Sequence, residues 1–143
     1  MPGPLDRFLA GQRDTYAGAL AELRAGRKTG HWIWFVFPQL AGLGRSEMTR
    51  YYAITSLDEA RAYIAHPVLG ARLHESAAAL LATDGRSAAD ILGSIDAIKV
   101  RSSMTLFHRA APDDPVFAEV LARFYGGVPD PSTDALLRAA EVE

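Results

Sequence analysis

The sequence predicts an all-α fold: one domain spanning residues 1–143, built from about seven helices with one buried aromatic segment, extended or helical, threaded through it. Three observations carry this. A chain of 143 residues, 49% hydrophobic and 22% charged, has the size and composition of a single folded core. Alanine, the strongest helix former, is the commonest residue, and helix start and stop signals recur along the chain. The strand-forming run Trp32-Ile33-Trp34-Phe35-Val36-Phe37 has no partner of comparable strength, so it has no sheet to join.

The elements follow from spacing and punctuation. Phe8, Leu9, Tyr16, Ala19, Leu20 and Leu23 recur at three- and four-residue intervals and predict one amphipathic helix over Asp6–Arg24, with Gly26 as its left-handed cap. Ser46 can cap a helix after the aromatic run. Ser56 and Glu59 have capping-box spacing and open a helix through Ile64 that Pro67 stops. Pro67 suits the first turn of the next, whose stripe is Leu69, Leu73, Ala77, Leu80 and Leu81, before Gly85. A short turn of helix runs from Ser87 to Gly93, and Asp96 caps a helix carrying Met104, Leu106 and Phe107 toward Pro112. The pairs Asp114-Pro115 and Asp130-Pro131 each supply a cap and a first-turn proline, for helices using Phe117 to Phe124 and Leu136-Leu137.

Composition narrows the function classes. Fifteen basic and seventeen acidic side chains leave a formal charge of -2, without the positive field of a dedicated nucleic-acid binder, so no nucleic-acid polymer is expected as partner. Cysteine is absent, which removes disulfides and thiolate chemistry. No His-x-x-x-His pair or carboxylate cluster suggests a metal, and no cofactor is implied. The longest apolar run, Trp32 to Pro38, is far short of the roughly 20 residues of a membrane span, and Met1-Pro2-Gly3-Pro4 before Asp6 and Arg7 does not read as a signal peptide. A cytoplasmic location is the expectation; oligomeric state is not encoded legibly.

Two stretches depart from ordinary helix. In the first, Arg27, Lys28, Thr29 and His31 precede the aromatic run and Gln39, Gly42, Gly44, Arg45 and Ser46 follow it, so polar groups bracket an aromatic wall as in small-ligand pockets. Gly42-x-Gly44 before Arg45 and a capped helix can receive an anion, although it lacks the third glycine of a dinucleotide fingerprint and the Gly-Lys-Ser/Thr of a P-loop. The competing reading is a connecting loop. Trp32 and Trp34 are either core or one face of a cleft, and His31, titrating near neutrality, is the histidine to test first. In the second stretch, Lys99, Arg101, Ser102, Ser103 and Thr105 place cations and hydroxyls at helical spacing, where they bind an anion or bond back to the backbone. Asp96 and Lys99, one turn apart, form either a general acid–base pair or a cap with an ion pair. Gly-x-Ser-x-Gly, His-Glu-x-x-His, P-loop and kinase signatures are missing.

Long blocks in order, namely Gly26 to Ser46, Tyr52-Ala53-Ile54, Glu59-Ala60, His66 to Gly70 with Arg72-Leu73, and Lys99 to Phe107, resemble the uncharacterised bacterial domain-of-unknown-function family 1810 over nearly the whole chain. That family is largely α-helical; some members carry the label calpastatin, but nothing here resembles a calpain inhibitor's disordered repeats. Where it usually has a basic residue and serine before the histidine, this chain has Thr29-Gly30. The resemblance implies no activity. A more distant resemblance, through Leu80, Asp90, Gly93, Asp96 and Lys99, is to the small helical NADAR proteins, which implies ADP-ribose or N-glycosidic chemistry: the aromatic segment as a base-stacking wall, and Arg45, Lys99 or Arg101 as phosphate or ribose contacts. Two functional readings result. One is a protein that binds or hydrolyses a small nucleotide-like anion, with Lys99 and Asp96 at the N-glycosidic bond and His31, Trp34 and Gln39 on the base. The alternative is a non-catalytic interaction or structural domain.

Overall fold

Polar side chains that turn inward decide where this chain bends. In a computed structural model, which describes residues 3–142, ten helices replace the seven expected, and the described residues contain no strand. The helix anticipated over Asp6–Arg24 is two helices, α1 (Asp6–Gln12) and α2 (Tyr16–Ala25). Neither glycine nor proline breaks it. Gln12 is buried, and its amide nitrogen donates to the Phe35 carbonyl at 2.6 Å and to the Tyr63 hydroxyl at 3.1 Å. From there the two helices diverge, α1 packing on α3 (Ile33–Val36) and α2 on α6 (Leu69–Leu81).

The aromatic run forms a single helical turn, α3, entered and left by irregular backbone. Trp32, Ile33, Phe35, Val36 and Phe37 are buried, and Trp34 is partly exposed. Beyond it a parallel bridge joins Leu40 to Ile54, with Ile54 N donating to Gln39 O and Ala41 N to Ile54 O, both at 2.8 Å. Ser46 caps α4 (Glu47–Tyr51) and Ser56 caps α5 (Leu57–Ala65), each accepting from the N–H three residues on. At the start of α6 the His66 imidazole does the capping, its Nδ1 accepting from Val68 N at 3.1 Å and Leu69 N at 3.2 Å.

A capping box of Ser87 and Asp90 opens α7 (Ala88–Leu92), and Gly93, at φ +85°, turns the chain into α8 (Ser94–Ala110). Asp96 is therefore not the cap expected of it. The glycine conformation starts α8 three residues earlier and leaves Asp96 in its first turn, where a carboxylate also suits the positive end of the helix. The two Asp-Pro pairs do start helices, α9 (Pro115–Tyr125) and α10 (Pro131–Val142).

Helix α8 is the centre of the fold, packed against α5, α7, α9 and α10. Val100, Met104, Leu106 and Phe107 are fully buried on it, and Ser103 and Thr105 with them. The Phe107 ring lies 5.4 Å from that of Tyr63 and 5.7 Å from that of Phe117. No helix among the described residues is long and apolar enough to cross a membrane.

Helices α5 and α6 approach most closely at Gly70, where a Cβ would stand 1.9 Å from the Ile64 carbonyl oxygen. Because the obstacle is backbone, Gly70→Ala should destabilise by about 1–3 kcal/mol, measured by chemical denaturation. Gly18→Ala in α2, where an added Cβ meets nothing within 4 Å, should instead stabilise by about 0.5–1 kcal/mol.

Candidate functional site

The loop between α2 and α3 is organised by one carboxylate. Glu22 Oε1 accepts from Thr29 N at 2.7 Å, Gly30 N at 2.8 Å and the Trp32 indole N–H at 3.0 Å. Partial burial pushes the Glu22 pKa up, but the bonds from Gly30, Thr29 and Trp32 outweigh it and hold the carboxyl below its usual range. With the loop so pinned, Lys28 points inward: its backbone N–H donates to Ile91 O at 2.7 Å and its ammonium to Gly30 O at 2.6 Å.

The Lys28 ammonium also meets Asp96 Oδ2 at 2.7 Å, and from one turn along α8 Lys99 Nζ lies 3.8 Å from Asp96 Oδ1. Side-chain exposure is 8% for Lys28, 18% for Asp96 and 23% for Lys99, so Lys28 is the sealed partner and Lys99 the accessible one. Lys28 stands 5.1 Å over the Trp32 ring and Lys99 5.4 Å over the Trp34 ring. The Trp34 indole N–H is buried and has no hydrogen-bond partner. Two cations thus share one carboxylate beside an aromatic ring with a donor to spare.

Other residues singled out in the sequence lie elsewhere or have different duties. His31 is exposed, next to this cluster in sequence, and Trp32 is core. Gln39 contributes its carbonyl to the bridge with Ile54. Gly42 lies against Leu136 of α10, Gly44 against Thr49 of α4, and Arg45 is exposed. Arg101 donates to Val128 O at 2.9 Å and Pro129 O at 3.1 Å, Ser102 to Asp130 at 2.9 Å, and Thr105 accepts from Asp130 N at 2.9 Å. These three moor the segment before α10, while Ser103 Oγ is buried without a partner. Asp90 closes a capping box, Gly93 makes a turn and Leu80 is core, so of Leu80, Asp90, Gly93, Asp96 and Lys99 only Asp96 and Lys99 belong to the cluster. Sequence reasoning passed over Glu22, whose spacing to Thr29 and Gly30 carries no local signal, and Gln12, whose polar side chain on the Phe8–Tyr16 stripe was a signal.

Because the Glu22 pKa is depressed in the folded state, its contribution to stability is present above its unfolded value, about 4.3, and is lost as pH falls through the folded value. Glu22→Gln should therefore lower stability near neutral pH and flatten its fall on acidification. Urea midpoints for parent and variant at about pH 7, 5 and 3 check both effects.

Known proteins match in two ways. The model of a family described as a protein of unknown function (DUF1810) matches residues 2–137. No curated protein matches the chain. The crystal structure of the conserved hypothetical protein Rv1873 from Mycobacterium tuberculosis is similar, with a TM-score of 0.92 and 50% sequence identity, covering 94% of this chain and 96% of that one. The family match spans almost the whole fold described above, including α3, Lys28, Asp96 and Lys99, and the chain belongs to the DUF1810 family.

Proposed function

We propose that this protein binds a small nucleotide-like anion at the Lys28–Asp96–Lys99–Trp34 cluster. The observation that carries the reading is the doubled cation on Asp96: Lys99 is held loosely at 3.8 Å and is free to take an anionic group, because Lys28 keeps the carboxylate paired at 2.7 Å. Trp34, partly exposed and beside Lys99, offers a ring face on which a flat base can stack. The distant sequence resemblance to NADAR proteins through Asp96 and Lys99 is what extends this proposal to hydrolysis of an N-glycosidic bond. In that reaction water adds to the anomeric carbon as the carbon–nitrogen bond breaks and the base leaves with a proton. Asp96, which keeps acceptor capacity beside Lys28, would hold and orient the attacking water, and Lys99 would hold the attached phosphate.

A second reading, a protein-interaction domain, is favoured by Ile95 and Ile98, which are 70% and 66% exposed on the same end of α8.

Thermal-shift titration with nucleotides, ADP-ribose and sugar phosphates separates the two. A ligand at 100 times its Kd adds about 2.7 kcal/mol, which for a chain of this size raises Tm by roughly 5–10 °C. Lys99→Ala should abolish that shift while changing the ligand-free Tm little, since partly exposed ion pairs are worth about 0.2–1 kcal/mol. Absence of any shift at millimolar ligand would remove the binding reading and favour the interaction domain. Release of free base from ADP-ribose-like substrates, lost in Asp96→Asn, tests the hydrolytic extension.

A further inference from the structure

Along α10 two clefts run into one another. One, about 320 Å³, is mostly apolar, lined by Leu40, Ala41, Leu136 and Ala140 among others; the second, about 410 Å³, is walled by Arg61, Arg109, Arg138 and Asp134. Leu57, Leu137 and Glu141 line both. Each volume falls in the range of small-molecule sites, about 300–1,000 Å³.

The charged groups of this cleft are unevenly paired. Arg109 binds Asp134 through two bonds, Nε to Oδ1 at 2.9 Å and Nη2 to Oδ2 at 3.0 Å. The Arg109 bond, with smaller help from Arg138 and His108, holds the Asp134 carboxyl below its usual range against the upward push of burial. Asp134 is therefore ionised and spoken for. Arg61 gives its Nε to Ala110 O at 3.2 Å and one Nη1 bond to the exposed Asp58 at 3.1 Å, so its second terminal nitrogen is unengaged. Arg138 is exposed and forms no ion pair or hydrogen bond among the described residues. Arg109 is thus committed to Asp134, whereas Arg138 is unpaired among the described residues and Arg61 keeps a free terminal nitrogen, beside a continuous leucine and alanine wall that also carries Glu141.

We infer that the α10 cleft is a binding site, separate from the Lys99 cluster, for a small amphipathic anion: a carboxylate or phosphate head on Arg138 and Arg61, and an apolar body of acyl or aryl type along Leu57, Leu136, Leu137 and Ala140. A guanidinium with free donors suits either head through paired N–H bonds. The apolar wall selects for a tail over a bare anion.

Octanoate and octyl phosphate, titrated below micelle formation into the 143-residue chain by calorimetry, are the probes; octan-1-ol, octylamine and inorganic phosphate are the comparisons. The anionic amphiphiles should bind, and Arg138→Ala should weaken them roughly tenfold through loss of a charge-assisted pair. Ala140→Phe, at an exposed position on the apolar wall, should block them, while Lys99→Ala should leave them unchanged. Stronger binding of octanoate or of octyl phosphate identifies the head group. Octan-1-ol binding as tightly as octanoate, inorganic phosphate binding as tightly as octyl phosphate, indifference to Arg138→Ala and Ala140→Phe, or no heat at millimolar probe would each overturn the inference. Loss of octanoate binding in Lys99→Ala would overturn it in favour of the other cluster.

Discussion

Burial of an irregular aromatic segment is the constraint on which the rest of this fold depends. Trp32 to Phe37 brings Trp32, Phe35 and Phe37 into the core, yet only Ile33–Val36 is helical, so the segment and its flanks need backbone partners from other elements. Several of these are in place. Gln12 reaches Phe35 O, Glu22 gathers Thr29 N, Gly30 N and the Trp32 indole, and the Ile54 backbone takes up Gln39 and Ala41. A buried polar group left without such a partner costs about 1–3 kcal/mol. Apolar area gained by Trp32, Phe35 and Phe37 is therefore retained only if Gln12 and Glu22 stand in these places. That requirement accounts for the break between α1 and α2, since Gln12 must end one helix facing α3 while Glu22 faces the loop from the next.

The same pinning places the candidate chemistry. Thr29 and Gly30 held on Glu22 leave Lys28 no outward path, so its ammonium joins the Gly30 carbonyl and Asp96. An 8%-exposed lysine needs such partners, because desolvation of an unpaired ammonium outweighs what packing returns. Lys99 is under no such obligation. At 23% exposure, with a longer contact to the same carboxylate, it is the one charge in the cluster that can change partner at small cost.

Helix punctuation was legible in the sequence wherever a side chain or a proline made it. Ser56, Ser87, Asp114 and Asp130 mark helix starts, and Gly26 and Gly126 close helices in the left-handed conformation. Breaks imposed by tertiary contacts were not legible: residues 13–15 contain no breaker, and α8 begins at Gly93 although Asp96 is the better cap by type. For the site, helical spacing correctly put Asp96 and Lys99 on one face. It could not say that Arg101, Ser102 and Thr105, on the adjoining turns, face the α10 segment, because spacing describes a helix and not its neighbours. The cationic wall of the α10 cleft was invisible for the same reason, with Arg61, Arg109 and Arg138 on three separate helices.

Both charged clusters are tied to the ends of α8. Asp96 lies in its first turn and Arg109 in its last, each of the sign that the helix dipole favours there. Thirteen residues of helix separate them by about 20 Å, beyond the screening length of about 8 Å at physiological ionic strength. At each end one ion pair is fully engaged, Lys28 with Asp96 and Arg109 with Asp134, and a neighbouring cation is loosely held or unpaired, Lys99 or Arg138. The engaged pair serves the helix; the neighbouring cation is surplus to it. A chain with a net charge of -2 thereby carries two incompletely paired cations that average composition conceals. Because each lies near its own end of one buried helix and is screened from the other, binding at one leaves the electrostatics of the other unchanged, and coupling between them would have to pass through the packing of α8 itself.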